Sequence, residues 1–310
     1  MNKSVKKYIK VLLNFVVLLF IGIYIYQIFV SNQDQLMGYT VKIKVKYLVV
    51  SFFMLIAVFF SQSIGWYFLT KSLFGKLPFW KTNIVWYKSL IGKYVPGKIW
   101  MYIGRGSFYF KLEDGKFKYT SCVILEGIFN LLSAIVVAVI SFTMISLNQL
   151  DYIVYISIFV MIALFIVIHP NVMNFFISQI NKIPKVDFPL LRVKYNQVLL
   201  LLLFWIASTV FGGGALFYLS LATGIEISNH LILYFAAVHA LASFIGLIAF
   251  FSPGGIGVRE SIYIILLEKH ISSVDATLTS IFSRIWITVI ELFLILCFWT
   301  LSLLQRERTK

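Results

Sequence analysis

The chain has 310 residues, of which 60% are hydrophobic and 13% are charged, and its formal net charge is +15. Soluble domains contain roughly 45–50% apolar and roughly 25% charged residues, so the composition excludes an ordinary soluble protein. The basic residues are spread between apolar runs and are not concentrated on one polar domain, which argues against nucleic-acid binding. These features indicate an integral membrane protein.

The apolar runs predict a single all-α polytopic membrane domain over residues 1–310. A helix needs roughly 20 apolar residues to cross a hydrocarbon core of roughly 30 Å. Strands are not expected, because open sheet edges cannot be satisfied in lipid and the alternation typical of barrel strands is missing. The predicted membrane-spanning helices lie near residues 11–30, 47–70, 119–147, 152–168, 197–222, 229–252 and 276–304.

The distribution of basic residues predicts the orientation. Lys and Arg precede the first helix, are frequent over residues 71–118 and 182–194, and close the chain, whereas the connections near residues 148 and 224 carry none. Cytoplasmic loops are enriched in Lys and Arg. We therefore expect a multi-pass protein of the cytoplasmic membrane with both termini in the cytoplasm, although three lysines at 42–46 argue against this assignment.

Two cytoplasmic termini require an even number of crossings, whereas the apolar runs give seven. We therefore expect about seven to eight transmembrane helices, with an irregular element between residues 240 and 275. This segment is interrupted by Pro253, Gly254 and Gly255 and then continues as a short apolar stretch. A broken helix or a re-entrant hairpin would fit, because non-helical backbone at membrane depth must be buried in protein or line a wet cavity.

The stretch GKYVPGKIWMYIGR, residues 92–105, is close to a phosphate-binding P-loop pattern, with Gly92, Gly97 and Lys98 at the required spacing. Position 99 is Ile, where a P-loop has the hydroxyl that holds magnesium, and the context is apolar helix. We therefore expect no nucleotide and no other cofactor. Exposed backbone N–H groups beside lysines still favour an anionic group such as phosphate.

The two Gly/Pro-broken segments lie in opposite halves of the chain. VPGKIW is followed by Arg105, and SPGGIGV is followed by Arg259. A broken apolar segment in each half is typical of a transporter with an internal repeat and a binding site at the repeat interface. The alternative, two unrelated helix-breaking loops without a pseudo-repeat, remains open.

Polar side chains within the predicted spans form two stripes. Each charged side chain at the bilayer centre costs roughly 2.5–3.5 kcal/mol on insertion scales, so both stripes should face the protein interior. Glu126 and Arg284 either contact the substrate or form a structural ion pair with each other. The first stripe is Glu126, Asn130 and Ser133, and the second is Thr277, Ser280, Arg284, Thr288 and Glu291.

Two further features of the apolar spans have structural interpretations. His239 is most simply a hydrogen-bonded core histidine. Three successive glycines, Gly212, Gly213 and Gly214, predict a close helix contact or a kink.

The pairing of GKYVPGKIWMYIGR with FFSPGGIGVRE, around one Glu-bearing and one Arg-bearing helix, resembles the lysylphosphatidylglycerol synthase transmembrane family, also described as flippase-like. The resemblance covers nearly the whole chain and implies a polytopic inner-membrane fold with re-entrant segments. In the multiple peptide resistance factor, such a domain moves aminoacylated phosphatidylglycerol between leaflets, beside a soluble domain that attaches the amino acid. Only six residues follow the last predicted helix, so we expect no aminoacyl-transferase domain here, and the resemblance implies translocation.

The resemblance can be carried over at individual positions. The family's middle-helix Glu falls on Glu126, but the Arg expected directly after it is Gly127, which leaves a local charge pair in doubt. The first family loop matches Gly92, Pro96, Gly97, Trp100, Gly104 and Arg105, and the second matches Pro253, Gly254, Gly255, Gly257, Arg259 and Glu260.

These observations together predict a lipid translocase for an anionic or aminoacylated phospholipid, or for a polyprenyl-linked or glycolipid. No catalytic or metal-binding pattern such as HExxH occurs, so we do not expect an enzyme. An embedded transferase or an assembly subunit of cell-envelope synthesis remains the alternative. The sequence leaves open whether the protein forms a homo-oligomer and whether it binds enzymes of cell-envelope biosynthesis. The candidate substrate-binding residues are Lys93, Pro96, Gly97, Lys98, Arg105, Glu126, Asn130, Pro253, Gly254, Gly255, Gly257, Arg259, Glu260, Arg284 and Glu291.

Overall fold

The computed structural model describes residues 43–94, 99–146, 165–183, 188–191, 193–248 and 257–307, with isolated residues between 155 and 163. The predicted span at 11–30 lies outside this part of the chain. The span at 152–168 is described only in part, and its described residues from Tyr155 to Val167 are helical.

The described residues form helices and turns, and they contain no strand. A 3₁₀ turn, Ile91–Tyr94, follows the second helix, and another, Asn229–Leu231, precedes the seventh. The helices are α1 Val45–Phe74, α2 Phe79–Leu90, α3 Ile99–Tyr109, α4 Gly115–Ser146, α5 Pro170–Ile180, α6 Tyr195–Ala222, α7 Ile232–Ile248, α8 Val258–Leu267 and α9 Ser273–Glu307.

Five described segments are long and apolar enough to cross a membrane, which confirms the prediction of a helical membrane protein. The described part of the chain therefore has fewer candidate spans than the seven to eight transmembrane helices predicted. These segments are Val45–Phe74, Gly115–Met144, Tyr195–Ala222, Asn229–Leu247 and Ser273–Leu304.

The centre of the fold is an antiparallel pair formed by α1 and α6. The Ser51 hydroxyl donates to the Ala215 carbonyl at 2.8 Å, and further along the pair Gln62 donates to the Ser208 hydroxyl at 2.9 Å. At the other end, the Lys44 backbone N–H donates to the Ala222 carbonyl at 2.8 Å. The start of α1 therefore lies beside the end of α6.

The three successive glycines of α6 let two other helices approach it, as the sequence predicts. A Cβ at Gly213 would lie 2.4 Å from the Ala236 Cα in α7, and one at Gly214 would lie 2.8 Å from the Met54 sulfur in α1. The contact at Gly213 is with backbone, which cannot move aside at small cost, so this glycine is required by the packing of α7 against α6. The contact at Gly214 is with the flexible Met54 side chain, which can shift.

The first Gly/Pro-broken segment forms an antiparallel pair, α2 and α3, which we call hairpin 1. Arg105 of α3 donates to the Ser89 hydroxyl of α2 at 3.1 Å. A Cβ at Gly92 would lie 2.5 Å from the Met101 backbone nitrogen, so the arms touch where the chain reverses. Helices of 12 and 11 residues are roughly 18 and 16 Å long, so neither arm could cross a membrane alone.

The second broken segment forms a similar pair, α7 and α8, which we call hairpin 2. Arg259 of α8 donates to the Ser243 hydroxyl of α7 at 3.2 Å. At the base of the hairpin, the Tyr234 hydroxyl donates to the Leu266 carbonyl at 2.6 Å. The end of α8 therefore lies beside the start of α7, as a re-entrant hairpin would place it.

The two halves share an order of elements: a long helix, a hairpin and a second long helix. One offset along the chain relates Ser89 to Ser243, Gly92 to Gly246 and Arg105 to Arg259. In each hairpin the arginine bonds to the serine 16 residues before it. Since α1 and α6 begin the two halves and run antiparallel, the halves have opposite orientations, as in inverted-repeat transporters.

The two hairpins have their bases on opposite sides of the helix bundle. The base of hairpin 1 lies beside the end of α1 and the start of α4, where Phe74 and Tyr109 have ring centroids 5.3 Å apart. The base of hairpin 2 lies beside the end of α4, where Phe142 and Tyr234 have centroids 6.3 Å apart. The side at the base of hairpin 1, which we call the basic face, carries Lys71, Lys76, Lys81, Lys111, Lys116 and Lys118.

This arrangement predicts which loops share a side of the membrane. In a background without the two native cysteines, single cysteines at Lys76 and Lys111 should be labelled from one side by a membrane-impermeant maleimide. Cysteines at Glu226 and Lys269 should be labelled only from the other side. Opposite accessibility of Lys76 and Lys111 would show that hairpin 1 crosses the membrane and would contradict the described fold.

The glycine contact predicts a stability change. Gly213→Ala should lower the free energy of unfolding by ~1–3 kcal/mol, because the new Cβ meets the Ala236 backbone. Gly127→Ala in α4 is the matched control, since nothing lies within 4 Å of the position that its Cβ would take, and it should be neutral or stabilising. Thermal unfolding in detergent measures both. Equal melting temperatures for the two variants would refute the role of Gly213.

Candidate functional site

Hairpin 1 is anchored to α4 by a buried ion pair. Arg105 is fully buried, and its Nη1 donates to both carboxylate oxygens of Glu126, at 2.8 and 3.1 Å. Asn130 donates to the Glu126 backbone carbonyl at 2.8 Å. The predicted pair between Glu126 and Arg284 is therefore wrong, because the countercharge of Glu126 comes from hairpin 1.

Aromatic rings enclose the Arg105 guanidinium. Its carbon lies 4.3 Å from the Trp66 ring centroid, 5.6 Å from that of Trp86 and 5.9 Å from that of Tyr102. The remaining guanidinium nitrogen, Nη2, has no hydrogen-bond partner among the described residues, and the ring faces stabilise its charge. With carboxylate and rings in place, Arg105 braces the hairpin and offers no open position to a ligand.

A second set of interior charges lines a cavity between α6, α7, α8 and α9. The cavity has a volume of ≈ 30 Å³, enough for about two water molecules. Arg259, Glu260 and Arg284 contribute its charged groups, and His239 and Tyr263 contribute further polar groups. Hairpin 2 and α9 therefore present three of the predicted binding residues to one space, whereas Arg105 and Glu126 lie elsewhere.

Arg259 differs from Arg105 in its partners. Its Nη2 donates to the Ser243 and Tyr263 hydroxyls, each at 3.2 Å, and no carboxylate of the described chain lies within 4 Å of it. Its buried Nε has no hydrogen-bond partner in the same part of the chain. Hydroxyl oxygens do not neutralise a guanidinium, so the described residues leave this charge uncompensated in the cavity.

The partner of Arg284 is Glu260, on α8. Arg284 Nε donates to Glu260 Oε1 at 2.9 Å, and the Ser280 hydroxyl donates to the Glu260 carbonyl at 3.2 Å. The pair holds hairpin 2 against α9. Both halves therefore have an ion pair between a hairpin and the following long helix, with the positions of acid and base exchanged.

A third ion pair joins hairpin 1 to α9. The Lys93 ammonium contacts Glu291 Oε2, and the Tyr94 hydroxyl donates to the same oxygen at 3.2 Å. Glu291 is fully buried, while the Lys93 side chain keeps 33% of its surface exposed. The charges of Arg284 and Arg259 also act on Lys93, so both hairpins contribute to one electrostatic environment along α9.

The two polar stripes face the interior, as predicted. Glu126 and Ser133 are buried on α4, and the Ser133 hydroxyl lies 3.1 Å from that of Thr209 on α6. On α9, Ser280 and Glu291 are fully buried.

His239 is hydrogen-bonded, as predicted, and it also lies in the cavity wall. Its Nδ1 is 2.9 Å from the Tyr263 hydroxyl. A Cβ at Gly212 would lie 2.3 Å from His239 Nε2, so glycine at this position makes room for the imidazole. His239 thereby holds the tyrosine that contacts Arg259.

Several predicted binding residues lie outside the described chain. Gly257 is described, with a φ of +80°, which a residue with a side chain rarely adopts, and it precedes α8 directly. Those outside the described residues are Pro96, Gly97, Lys98, Pro253, Gly254 and Gly255.

Some functional candidates were not found from the sequence. Ser243 and Tyr263 hold Arg259, and Trp66 covers Arg105. The shared offset of serine, glycine and arginine between the hairpins could have revealed Ser243, because the pattern recurs in both halves. The described residues include no group of three or more His, Cys, Asp or Glu that could hold a metal ion.

The buried ion pair predicts a double-mutant result. Glu126→Leu should destabilise the protein by ~3–5 kcal/mol, because Arg105 would remain buried without a countercharge. Combining it with Arg105→Met should recover much of this loss. Asp114→Asn, which breaks the exposed pair with Lys118 at 3.4 Å, should cost less than ~1 kcal/mol.

Thermal unfolding of the four proteins gives the comparison, since native, single and double variants form a cycle. If the double variant were as unstable as the sum of its two single substitutions, the coupling between Arg105 and Glu126 would be absent.

No protein-family model and no curated protein matches this chain.

Proposed function

We propose that the protein is a lipid translocase that moves a lipid with an anionic phosphate headgroup between membrane leaflets. The observation that carries this proposal is Arg259, a guanidinium in an interior cavity whose hydrogen-bond partners among the described residues are hydroxyl groups. An uncompensated charge in a membrane interior is costly, so its retention favours a ligand of opposite charge.

The charge balance of the interior supports an anion as that ligand. Glu126 is neutralised by Arg105, Glu260 by Arg284, and Glu291 by Lys93. Of the arginines that line the cavity, Arg259 is the one with no carboxylate partner among the described residues. Phosphate oxygens match the fork of a guanidinium and could accept hydrogen bonds from its Nη2 and unbonded Nε.

The opposed hairpins support movement across the membrane. They approach the same long helix, α9, because Glu260 and Lys93 contact its residues Arg284 and Glu291. In inverted-repeat transporters, the substrate site lies where two broken helices meet near the bilayer midplane. Rocking one half against the other would expose Arg259 to each side in turn.

The present cavity corresponds to a closed conformation. Its ≈ 30 Å³ holds water but not a lipid headgroup, so admission requires hairpin 2 to separate from α6 or α9. The acyl chains stay in the bilayer while the headgroup crosses. Exchange down a concentration gradient therefore needs no nucleotide.

The basic face supports the cytoplasmic membrane as the location. Most described loop lysines lie there, and the lysines at 44 and 46 lie on the opposite side at the start of α1. The excess on the basic face favours its cytoplasmic orientation. Since α9 ends on that face, the C-terminus is cytoplasmic in this assignment.

The family resemblance also remains part of the proposal. Hairpin 1 contains Gly92, Gly104 and Arg105, and hairpin 2 contains Arg259 and Glu260, at the positions where the lysylphosphatidylglycerol synthase transmembrane family has corresponding residues. The close packing of Gly92 and the ion pairs of Arg105 and Glu260 give these positions physical roles.

Leaflet exchange in liposomes tests the proposal. Purified protein should accelerate exchange of fluorescent phosphatidylglycerol, aminoacylated phosphatidylglycerol or a polyprenyl-phosphate lipid, measured by quenching of the outer leaflet. Arg259→Ala should reduce the rate at least ~10-fold, corresponding to ~1.4 kcal/mol of lost interaction. Arg259→Lys should retain an intermediate rate, because lysine keeps the charge but lacks the planar fork.

Lys182→Ala is the matched control, because it removes an exposed cation that is absent from the cavity lining and should leave exchange unchanged. Thermal unfolding verifies that each variant is folded. A folded native protein that moves none of these lipids, or an Arg259→Ala variant with native rates, would refute the proposal.

A further inference from the structure

Glu291 is a carboxylate in the buried part of α9. It is fully buried, and its Oε2 contacts the Lys93 ammonium and accepts the Tyr94 hydroxyl at 3.2 Å. Its other oxygen, Oε1, has no hydrogen-bond partner among the described residues. Both groups that contact the Glu291 carboxylate therefore come from the 3₁₀ turn of hairpin 1.

Lys93 is the accessible partner of this pair. Its side chain is 33% exposed, whereas the Glu291 side chain is fully buried. Lys93 has a flexible stem and lies at the end of an arm of hairpin 1. The Lys93 side chain therefore keeps a surface that Glu291 does not cover and that an anion can contact.

The other groups that face Glu291 do not replace Lys93. Hairpin 1 contributes Tyr94, which is a neutral hydrogen-bond donor. On α9, the charge of Arg284 acts on Glu291, but Arg284 lies two helical turns away and is bonded to Glu260 at 2.9 Å. The described cation in contact with Glu291 is Lys93.

We propose that Glu291 is a proton-binding site and that lipid movement is coupled to protons, with Lys93 exchanging Glu291 for the lipid phosphate. This inference rests on the proposed translocase function and adds its source of energy. A carboxylate that loses its countercharge in a medium of low dielectric becomes neutral by taking up a proton. Lys93 cannot neutralise Glu291 and a phosphate fully at the same time.

The steps balance in charge and atoms. The Lys93 ammonium moves from Glu291 to the phosphate, and one proton from solution converts the Glu291 carboxylate to the neutral acid. When the phosphate leaves on the other side, Lys93 returns and the proton is released there. A lipid with one negative charge therefore travels with one proton, and the transport is electroneutral.

A pH gradient across liposomes tests this coupling. The bilayer is phosphatidylcholine with a trace of fluorescent phosphatidylglycerol, and valinomycin with equal potassium concentrations holds the voltage at zero. The native protein should enrich the labelled lipid in the leaflet that faces the alkaline side, up to ten-fold per pH unit at full one-to-one coupling. Glu291→Gln, which is neutral at every pH, should exchange the lipid to equal amounts in both leaflets.

Asp114→Asn is the matched control, because it neutralises a carboxylate that also pairs with a lysine but is exposed. Asparagine also tolerates the φ of +50° at this position. This variant should enrich the lipid as the native protein does, and protein-free liposomes correct for spontaneous redistribution.

The outcomes separate this inference from the translocase proposal. If the native protein exchanges phosphatidylglycerol but the labelled lipid stays equally distributed between the leaflets under the pH gradient, the coupling is overturned. The translocase proposal is not affected by that result. Native protein that moves no lipid under any gradient overturns both.

A second measurement keeps the inference testable if Glu291→Gln does not fold. Short-chain phosphatidylglycerol is added to native protein in weakly buffered detergent, and a pH indicator records proton uptake. One proton should be taken up per lipid bound. Lipid binding without proton uptake would overturn the role of Glu291.

Discussion

An ionised side chain away from water requires a countercharge, and this requirement connects the described interior of the protein. Arg105 with Glu126, Glu260 with Arg284, and Lys93 with Glu291 each join a hairpin to a long helix. Apolar packing in a membrane supplies little preference for one helix neighbour over another, because lipid chains are as apolar as the side chains they meet. The ion pairs therefore specify which long helix each hairpin contacts, in addition to the apolar packing around residues such as Trp86 and Phe235.

The two hairpins share the same contact between their arms but differ in the residues around the arginine. In both, a serine of the first arm bonds to an arginine of the second arm. Arg105 also has a carboxylate and aromatic rings around it, whereas Arg259 has hydroxyl partners and lies in the wall of a small cavity. A repeated element thus supplies a fixed support in one half and a cation available to a ligand in the other. The difference arises outside the repeated serine, glycine and arginine, from Trp66 and Glu126 around one arginine and Tyr263 beside the other.

The sequence predicts the helical membrane fold because long apolar runs have few alternatives in lipid, and it predicts the interior stripes because charges cannot face acyl chains. It also locates both broken segments through their glycines and prolines. It does not predict the ion pairs. Partners such as Arg105 and Glu126 lie on separate helices, and several pairings of acidic and basic side chains would neutralise the interior charges equally well. The error of pairing Glu126 with Arg284 has this origin. The sequence also does not predict the different surroundings of Arg105 and Arg259, because both arginines follow a Pro-Gly segment. Only the packing places Trp66 beside Arg105 and Tyr263 beside Arg259.

Movement of a charged headgroup through such an interior is limited by the cost of leaving any charge unpaired. A phosphate that binds first to Arg259 meets a cation whose hydroxyl contacts can be released at small cost, because Ser243 and Tyr263 are neutral. A phosphate at Arg105 would have to displace Glu126 from a fully buried site, and the carboxylate would then lack a partner. The same comparison distinguishes Lys93 from Arg105, since the Lys93 side chain keeps 33% of its surface exposed, whereas the Arg105 side chain is fully buried. In the proposed cycle, the phosphate would therefore bind Arg259 and Lys93, while the enclosed pair of Arg105 and Glu126 keeps hairpin 1 in place.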